Sequence, residues 1–169
     1  KLGIPYIKPC AEHPLGTNDV GQDLLSELIY GTRVSMFIGI FTALIVTVLA
    51  ALLALVAGYY KGWVDRIVTA LTNVTMGLPS LALTVLLTAY LSPGKLSMII
   101  AISLTAWTGT SRILRSRVVQ LCEMPFVKIE KAIGMNDFVI MVKHILPNLK
   151  DIILSRAALS VSSAIMMES

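Results

Sequence analysis

Four places in the sequence bring together residue types that could do chemistry. Cys10 and His13 stand at Cys-x-x-His spacing, a thiol and an imidazole that could both hold a transition metal. Two ligands alone do not define a metal site, and a structural loop role is the better reading. Arg156 interrupts the expected fourth span, about Leu146 to Met167. A guanidinium there would either meet an anionic or carboxylate-bearing solute or pair with a polar neighbour. His144 sits at a junction between a polar segment and that span, where helix termination is favoured over proton chemistry. The fourth place is the stretch from Phe126 to Asn148, which mixes apolar and charged residues at helical spacing. Nowhere does a nucleophile stand with a base, so an enzymatic reading has no residues to rest on.

The elements that carry these residues are unusually apolar. Of the 169 residues, 56% are hydrophobic and 14% are charged, and the mean hydropathy is +0.79. Soluble domains carry about 25% charged residues. The deficit is concentrated in two charge-free runs, 27 residues from Val34 to Tyr60 and 28 from Ile67 to Gly94. Each exceeds the roughly 20 residues that cross a hydrocarbon core of about 30 Å. The expected class is an all-α integral membrane protein, in contact with the lipid bilayer. The net charge of +4 resides in short segments between apolar runs, as membrane topology requires, and lacks the aromatic interleaving suited to nucleic acid.

The spacing predicts four spans, at about 36–60, 67–91, 96–118 and 146–167. They divide the chain into an extracytoplasmic segment, 1–33, and a transmembrane domain, 34–169. In the first segment Gly3, Pro5, Pro9, Pro14, Gly16 and Gly21 break any long helix. A short amphipathic helix, capped by Asp19 and running to about Tyr30, would lie at the membrane surface. Gly77 and Pro79 near the middle of the second span predict a kink or local opening, and are candidate pore-lining positions with Arg156. Arg112 and Arg115 would snorkel from the end of the third span.

Orientation follows from Lys and Arg. Lys61, Arg66, Arg112, Arg115, Arg117, Lys128, Lys131, Lys143 and Lys150 fall on one side; Lys1, Lys8, Arg33 and Lys95 fall on the other. The richer side is expected to be cytoplasmic. Cys10 and Cys122 then lie on opposite sides, which excludes a disulfide between them. The start at Lys1 without Met, and the end at Ser169 directly after an apolar run, read as an internal piece of a longer protein. The eight Met residues are scattered, which suits packing better than soft-metal conduction.

The cytoplasmic segment 119–145 is the most informative. Pro125 suits a first helical turn, and Phe126, Ile129, Ala132 and Ile133 form one apolar face. Lys128, Glu130 and Lys131 cover the other, Gly134 is placed for a left-handed cap, and Asn136 or Asp137 restarts a helix from Phe138 to Ile145. The apolar face would rest on lipid or enter a groove of a partner protein.

Phe126-Val-Lys-Ile-Glu-Lys-Ala-Ile-Gly134, nine residues, then His144-Ile-Leu-Pro-Asn148, resembles the "EAA" loop of ABC importer permeases. That pattern is Glu-Ala-Ala, three residues, Gly, about nine residues, then a His-x-Leu-Pro-like end. The likeness is strongest to the dipeptide, oligopeptide and nickel group. His13-Pro-Leu-Gly-Thr-Asn-Asp-Val-Gly-Gln-Asp23, Leu28-Ile-Tyr-Gly-Thr-Arg33-Val-Ser35, Gly58-Tyr-Tyr-Lys-Gly-Trp-Val-Asp65, and Arg112 and Arg115 after Trp107 fit the same group in order. The resemblance covers nearly the whole chain. It implies the type I importer transmembrane fold, with 126–134 as a cytoplasmic coupling helix. Phe126, Val127, Lys128, Ile129, Glu130, Lys131, Ala132, Ile133, Gly134, His144, Pro147 and Asn148 then become candidates for contact with an ATPase. It also implies a second permease subunit, two ATP-binding-cassette ATPase subunits, an extracytoplasmic substrate-binding protein, and a multi-pass position in a bacterial or archaeal cytoplasmic (inner) membrane. ATP chemistry would belong to the ATPases: this sequence has no Gly-x-x-x-x-Gly-Lys-Ser/Thr loop, and no bound cofactor or metal is expected. One departure stands out. The family's Glu-Ala-Ala falls on Lys128-Ile129-Glu130, so a Lys replaces the usual Glu. Glu130, two residues on, is about 200° around the helix and is a poor substitute. A membrane scaffold or assembly factor that binds a cytoplasmic partner through the same helix is the alternative.

Overall fold

A computed structural model describes residues 4–168. Lys1, Gly3 and Ser169, named above in the charge count, the helix breakers and the chain end, lie outside the described residues. The chain divides into two compact units, residues 1–37 and 38–169. The described residues are mostly helical from Leu24 onward, with one isolated antiparallel bridge, Thr17 to Asp23.

In the first unit a turn-rich loop closes around the buried Thr17. Its hydroxyl donates to the Ile4 carbonyl at 2.7 Å and accepts from the Ile7 N–H at 2.9 Å. His13 Nδ1 lies 3.1 Å from Asp23 Oδ1, which ties the loop to the start of helix α1. α1 runs Leu24–Tyr60, so the expected surface helix is not a separate element. Gly31, the one helix-weakening residue at the expected junction, sits inside the helix with nothing near its Cα hydrogens. The cap is Asp23 rather than Asp19: Asp23 Oδ2 accepts from the Ser26 N–H at 2.9 Å and from its hydroxyl at 2.6 Å. These bonds hold the Asp23 carboxyl below its ordinary value, those from Ser26 contributing most.

The second unit contains the rest of α1, then α2 (Gly62–Gly77), α3 (Ser80–Tyr90) and α4 (Lys95–Cys122). After these come α5 (Pro125–Ala132), α6 (Asp137–Val139), a wide turn of π-helix (Ile140–Ile145), a 3₁₀ turn (Leu146–Leu149) and α7 (Lys150–Glu168). Among the described residues, α1 alone is long and apolar enough by itself to cross a bilayer. α2 and α3 meet the same measure together but bend by 90° at the break, where Gly77 ends α2 and Pro79 precedes α3. α4 and α7 do not reach it: Arg112, Arg115, Arg117 and Arg156, with many Ser and Thr, lower their hydropathy.

α1 is apolar on both sides. Ala50, Ala54 and Ala57 are fully buried, while Ile40, Leu44, Val48 and Leu52 are half exposed or more. The inward face is rich in small residues, joined by Ile38, Val46 and Leu55, while many large aliphatic side chains face outward, as on a helix whose solvent is lipid. Gly58 permits the closest approach: an added Cβ would lie 2.7 Å from Val118 of α4. The turn to α2 places Lys61 at φ 55°, a region L side chains rarely adopt. Arg115 forks onto both carboxylate oxygens of Asp65, and Arg112 donates to Asn73 Oδ1 at 3.0 Å. Both guanidinium groups are thus paired within the protein, because α2 packs along α4 and offers Asp65 and Asn73 as acceptors.

Candidate functional site

The core of the second unit continues into the 119–149 segment. Leu55 and Tyr59 of α1, and Val118, Leu121 and Cys122 of α4, pack with Val127, Ile140, Met141, Ile145 and Leu149. The segment is therefore built onto the Tyr60 end of α1 and the Cys122 end of α4.

Local sequence sets its shape. Pro125 occupies the first turn of α5 and loses nothing there, since that N–H has no intrahelical partner. Gly134 closes α5 at φ 78°. The Met135 N–H donates to the Glu130 carbonyl at 3.0 Å and the Gly134 N–H to Lys131 at 3.1 Å, the paired bonds of a Schellman cap. Met135 then packs on the core. Asn136 caps the restart, accepting from the Phe138 N–H at 2.8 Å. Pro147 does not interrupt the helical path. The chain absorbs the missing N–H by widening to π-helix before it and tightening to 3₁₀ around it, so 137–168 is continuously helical. The Asn148 side chain donates to the His144 carbonyl at 2.6 Å.

α5 has two unlike faces. On the inner one Val127 is fully buried. The Glu130 side chain is only 13% exposed, with Oε1 2.8 Å from His144 Nδ1. The Lys131 ammonium lies 4.0 Å from the centre of the Tyr59 ring, and the Tyr59 hydroxyl donates to Asp137 Oδ1 at 2.5 Å. Charge and aromatic contacts thus fasten α5 and the following cap to the end of α1. The outer face holds Phe126, Ile129, Ala132 and Ile133, with Phe138 beyond the cap; Ile129 is 61% and Ile133 70% exposed. Lys128 is exposed and shares Glu123 with Lys61, at 3.1 and 2.8 Å. The two ammonium groups, Lys61 first, hold the Glu123 carboxyl down to about 2.

Elsewhere, Gly77 and Pro79 flank the sharp bend and are not brought to Arg156's cavity. Arg156 points between α1, α4 and α7, where Nη2 and Nε approach Thr110 Oγ1 at 3.2 and 3.4 Å. Tyr59, Lys61, Glu123 and Thr42 join these sites without having been singled out as site residues from sequence, and Asp137, considered only as a cap, receives the Tyr59 hydroxyl. For Lys61 and Glu123 a signal existed: opposite charges just past the ends of two spans expected on one side.

Residues 50–169 match the family described as binding-protein-dependent transport system inner membrane component. The dipeptide transport system permease protein of Bacillus subtilis (strain 168) is 36% identical over 163 residues, 96% of this chain and 51% of that protein. The oligopeptide transport system permease protein of Mycobacterium bovis is 33% identical over 162 residues, 95% of this chain and 56% of that protein. The glutathione transport system permease protein of Pectobacterium atrosepticum is 31% identical over 139 residues, 82% of this chain and 46% of that protein. The chain spans about half the length of the curated relatives it matches. With its long apolar α1 and its mostly helical architecture, this chain belongs to the inner-membrane permease components of binding-protein-dependent, ATP-binding-cassette transport systems.

Proposed function

We propose that the chain forms the membrane path of an ATP-driven importer for peptide-type solutes and grips a separate ATPase subunit with α5. The observation that carries the coupling role is the contrast between the faces of α5. Its inner face is held by Val127, Glu130–His144 and Lys131–Tyr59, while Phe126, Ile129 and Ile133 stand exposed. A helix so fastened transmits a push on its outer face to α1 and α4 instead of rolling. The substrate class follows the relatives named for dipeptides, oligopeptides and glutathione; nickel has no such support. Four crossings are counted if the bent pair α2–α3 is one, and if α4 and the continuous stretch 137–168 are accepted despite their charges. Arg115 and Arg112 are paired within the protein, which lowers the cost of that membership. A second permease chain, two ATPases and an extracytoplasmic binding protein complete the assembly. ATP-driven closure would bias the bundle between two packings.

The full-length permease complex with its ATPase tests this. Combining Ile129→Asp and Ile133→Asp is expected to weaken ATPase binding by at least about tenfold, as loss of central apolar anchors does, with an unchanged melting temperature. Substrate-stimulated ATP hydrolysis should fall in parallel. Unaltered ATPase affinity would remove α5 from the interface, and absence of stimulated hydrolysis in the unmodified complex would remove the transport role.

A further inference from the structure

A cavity of about 270 Å³ lies within the second unit, between Thr42 and Val46 of α1, Ile102 to Thr110 of α4, and Arg156 to Met167 of α7. Three features of its polar lining point to one kind of ligand. Arg156 has no carboxylate partner among the described residues; its Nε and Nη2 share a single acceptor, Thr110 Oγ1. A guanidinium has five N–H donors in a planar fork, so most of its capacity is unused. Thr42 is 1% exposed, and its Oγ1 has no hydrogen-bond partner. Several helical Thr hydroxyls elsewhere satisfy themselves on a carbonyl four residues back, as Thr72 does on Val68 and Thr75 on Leu71, while Thr47 and Ser103, outside the cavity lining, are buried without a partner as Thr42 is. Thr42 forgoes that bond while lining the cavity. Ser160 adds a further hydroxyl on the α7 side.

A cationic fork with the hydroxyls of Thr42, Thr110, Ser160 and Ser163, in a cleft otherwise lined by apolar side chains, matches a carboxylate, which accepts bidentate Arg bonds and has lone pairs left for hydroxyl donors. The volume falls below the roughly 300–1,000 Å³ that encloses a whole drug-sized ligand, so the cleft takes the end of a solute rather than all of it. We infer that the Arg156–Thr42–Thr110 cleft binds the free terminal carboxylate of the transported solute. This rests on the permease reading above for the source of the carboxylate. It adds a selective contact within the membrane domain.

The test uses the full-length permease complex in nanodiscs without the binding protein, whose own recognition would mask the effect. Binding of alanyl-alanine and of alanyl-alanine amide is read by saturation-transfer NMR. The unmodified complex should bind the acid at least about tenfold more tightly than the amide. Arg156→Gln should abolish that preference and Arg156→Lys should keep part of it. Thr42→Val, which leaves the charge in place, should weaken the acid alone, and thermal melts of each complex report folding. Equal binding of acid and amide by the unmodified complex overturns the inference, as does a preference that survives Arg156→Gln. So does loss of permease–permease assembly in Arg156→Gln without any acid–amide preference in the parent, which would make Arg156 a subunit contact. Stimulated ATP hydrolysis by the same parent complex with binding protein and alanyl-alanine reads the permease role separately. If hydrolysis is present and the preference absent, only the cleft assignment fails; if hydrolysis is absent, both fail.

Discussion

The 125–149 segment and the Arg156 cleft treat polar groups in opposite ways. In the segment, the polar groups at the join with α1 and α4 are matched, the buried Tyr59 and partly buried Glu130 as well as the exposed Lys131, Asn136 and Asp137: Tyr59 to Asp137, Glu130 to His144, Lys131 to the Tyr59 ring, Asn136 to the Phe138 N–H. Glu130 Oε2 is an exception, buried without a partner. In the cleft, a guanidinium and a buried hydroxyl are left short of partners. Matched polar groups in a low-dielectric setting fix one geometry, whereas unmatched ones keep a free energy that something else can claim. The first region is built to hold shape under load, and the second to respond to what enters it.

That comparison breaks most visibly at Val127. Val127→Asp would place a charge with no partner in the shared core of α1, α4 and α5. It should cost about 3–5 kcal/mol, read as a large drop in melting temperature or loss of assembled permease. A small effect would mean that α5 is not anchored through this residue.

A middle-sized contrast pairs the two regions directly. Tyr59→Phe leaves Asp137 without its donor and should cost about 1–3 kcal/mol. Arg156→Met removes a charge that lacks a carboxylate and should be neutral or stabilising, within about 1 kcal/mol of the parent. Melting curves of both variants in the same detergent decide it. If Arg156→Met is the more damaging, the cleft is structural and the contrast collapses.

The smallest effect is expected at the outer rim. Lys128→Glu removes one of the two cations on Glu123 and adds a like charge beside it. The Glu123 carboxyl, held at about 2 against an ordinary 4.5, should rise towards its ordinary value, read by carbon-detected titration. The sign follows from the depression. The contribution of this ion triad is complete above pH 4.5 and fades as pH falls towards 2, so the variant should lose it at higher pH. Stability should change little because the pair is exposed, but ATPase affinity should change. Unchanged affinity would place Lys128 outside the interface.

Much of the α5 region was legible because its signals are local. Pro125, Gly134 and Asn136 act on their own backbone within a turn, so start, cap and restart followed from residue type and spacing. The bend at Gly77 and Pro79 was legible for the same reason, though not its 90° angle. The break expected near Ile145 was not borne out, because a π turn and a 3₁₀ turn together can accommodate Pro147. The paired fates of Arg112 and Arg115 were hidden, since Asn73 and Asp65 lie 39 and 50 residues away in sequence.

By itself, then, the sequence determined the helical class, the apolar length of α1, the amphipathic α5 with its caps, and the family to which these belong. These depend on composition and on interactions within a few residues. Only the tertiary structure decided which face of α5 is spent on anchoring. Phe126, Ile129, Ala132 and Ile133 form the obvious apolar face, yet it is Val127, beside Glu130 and Lys131, that turns inward. The reason is that burial is set by what α1 and α4 present at their ends, Tyr59 and Leu121 among them, and hydrophobic periodicity cannot say which partner a face will meet. The loop from Phe126 to Asn148 keeps its place as the coupling element proposed here, with its apolar face left outward.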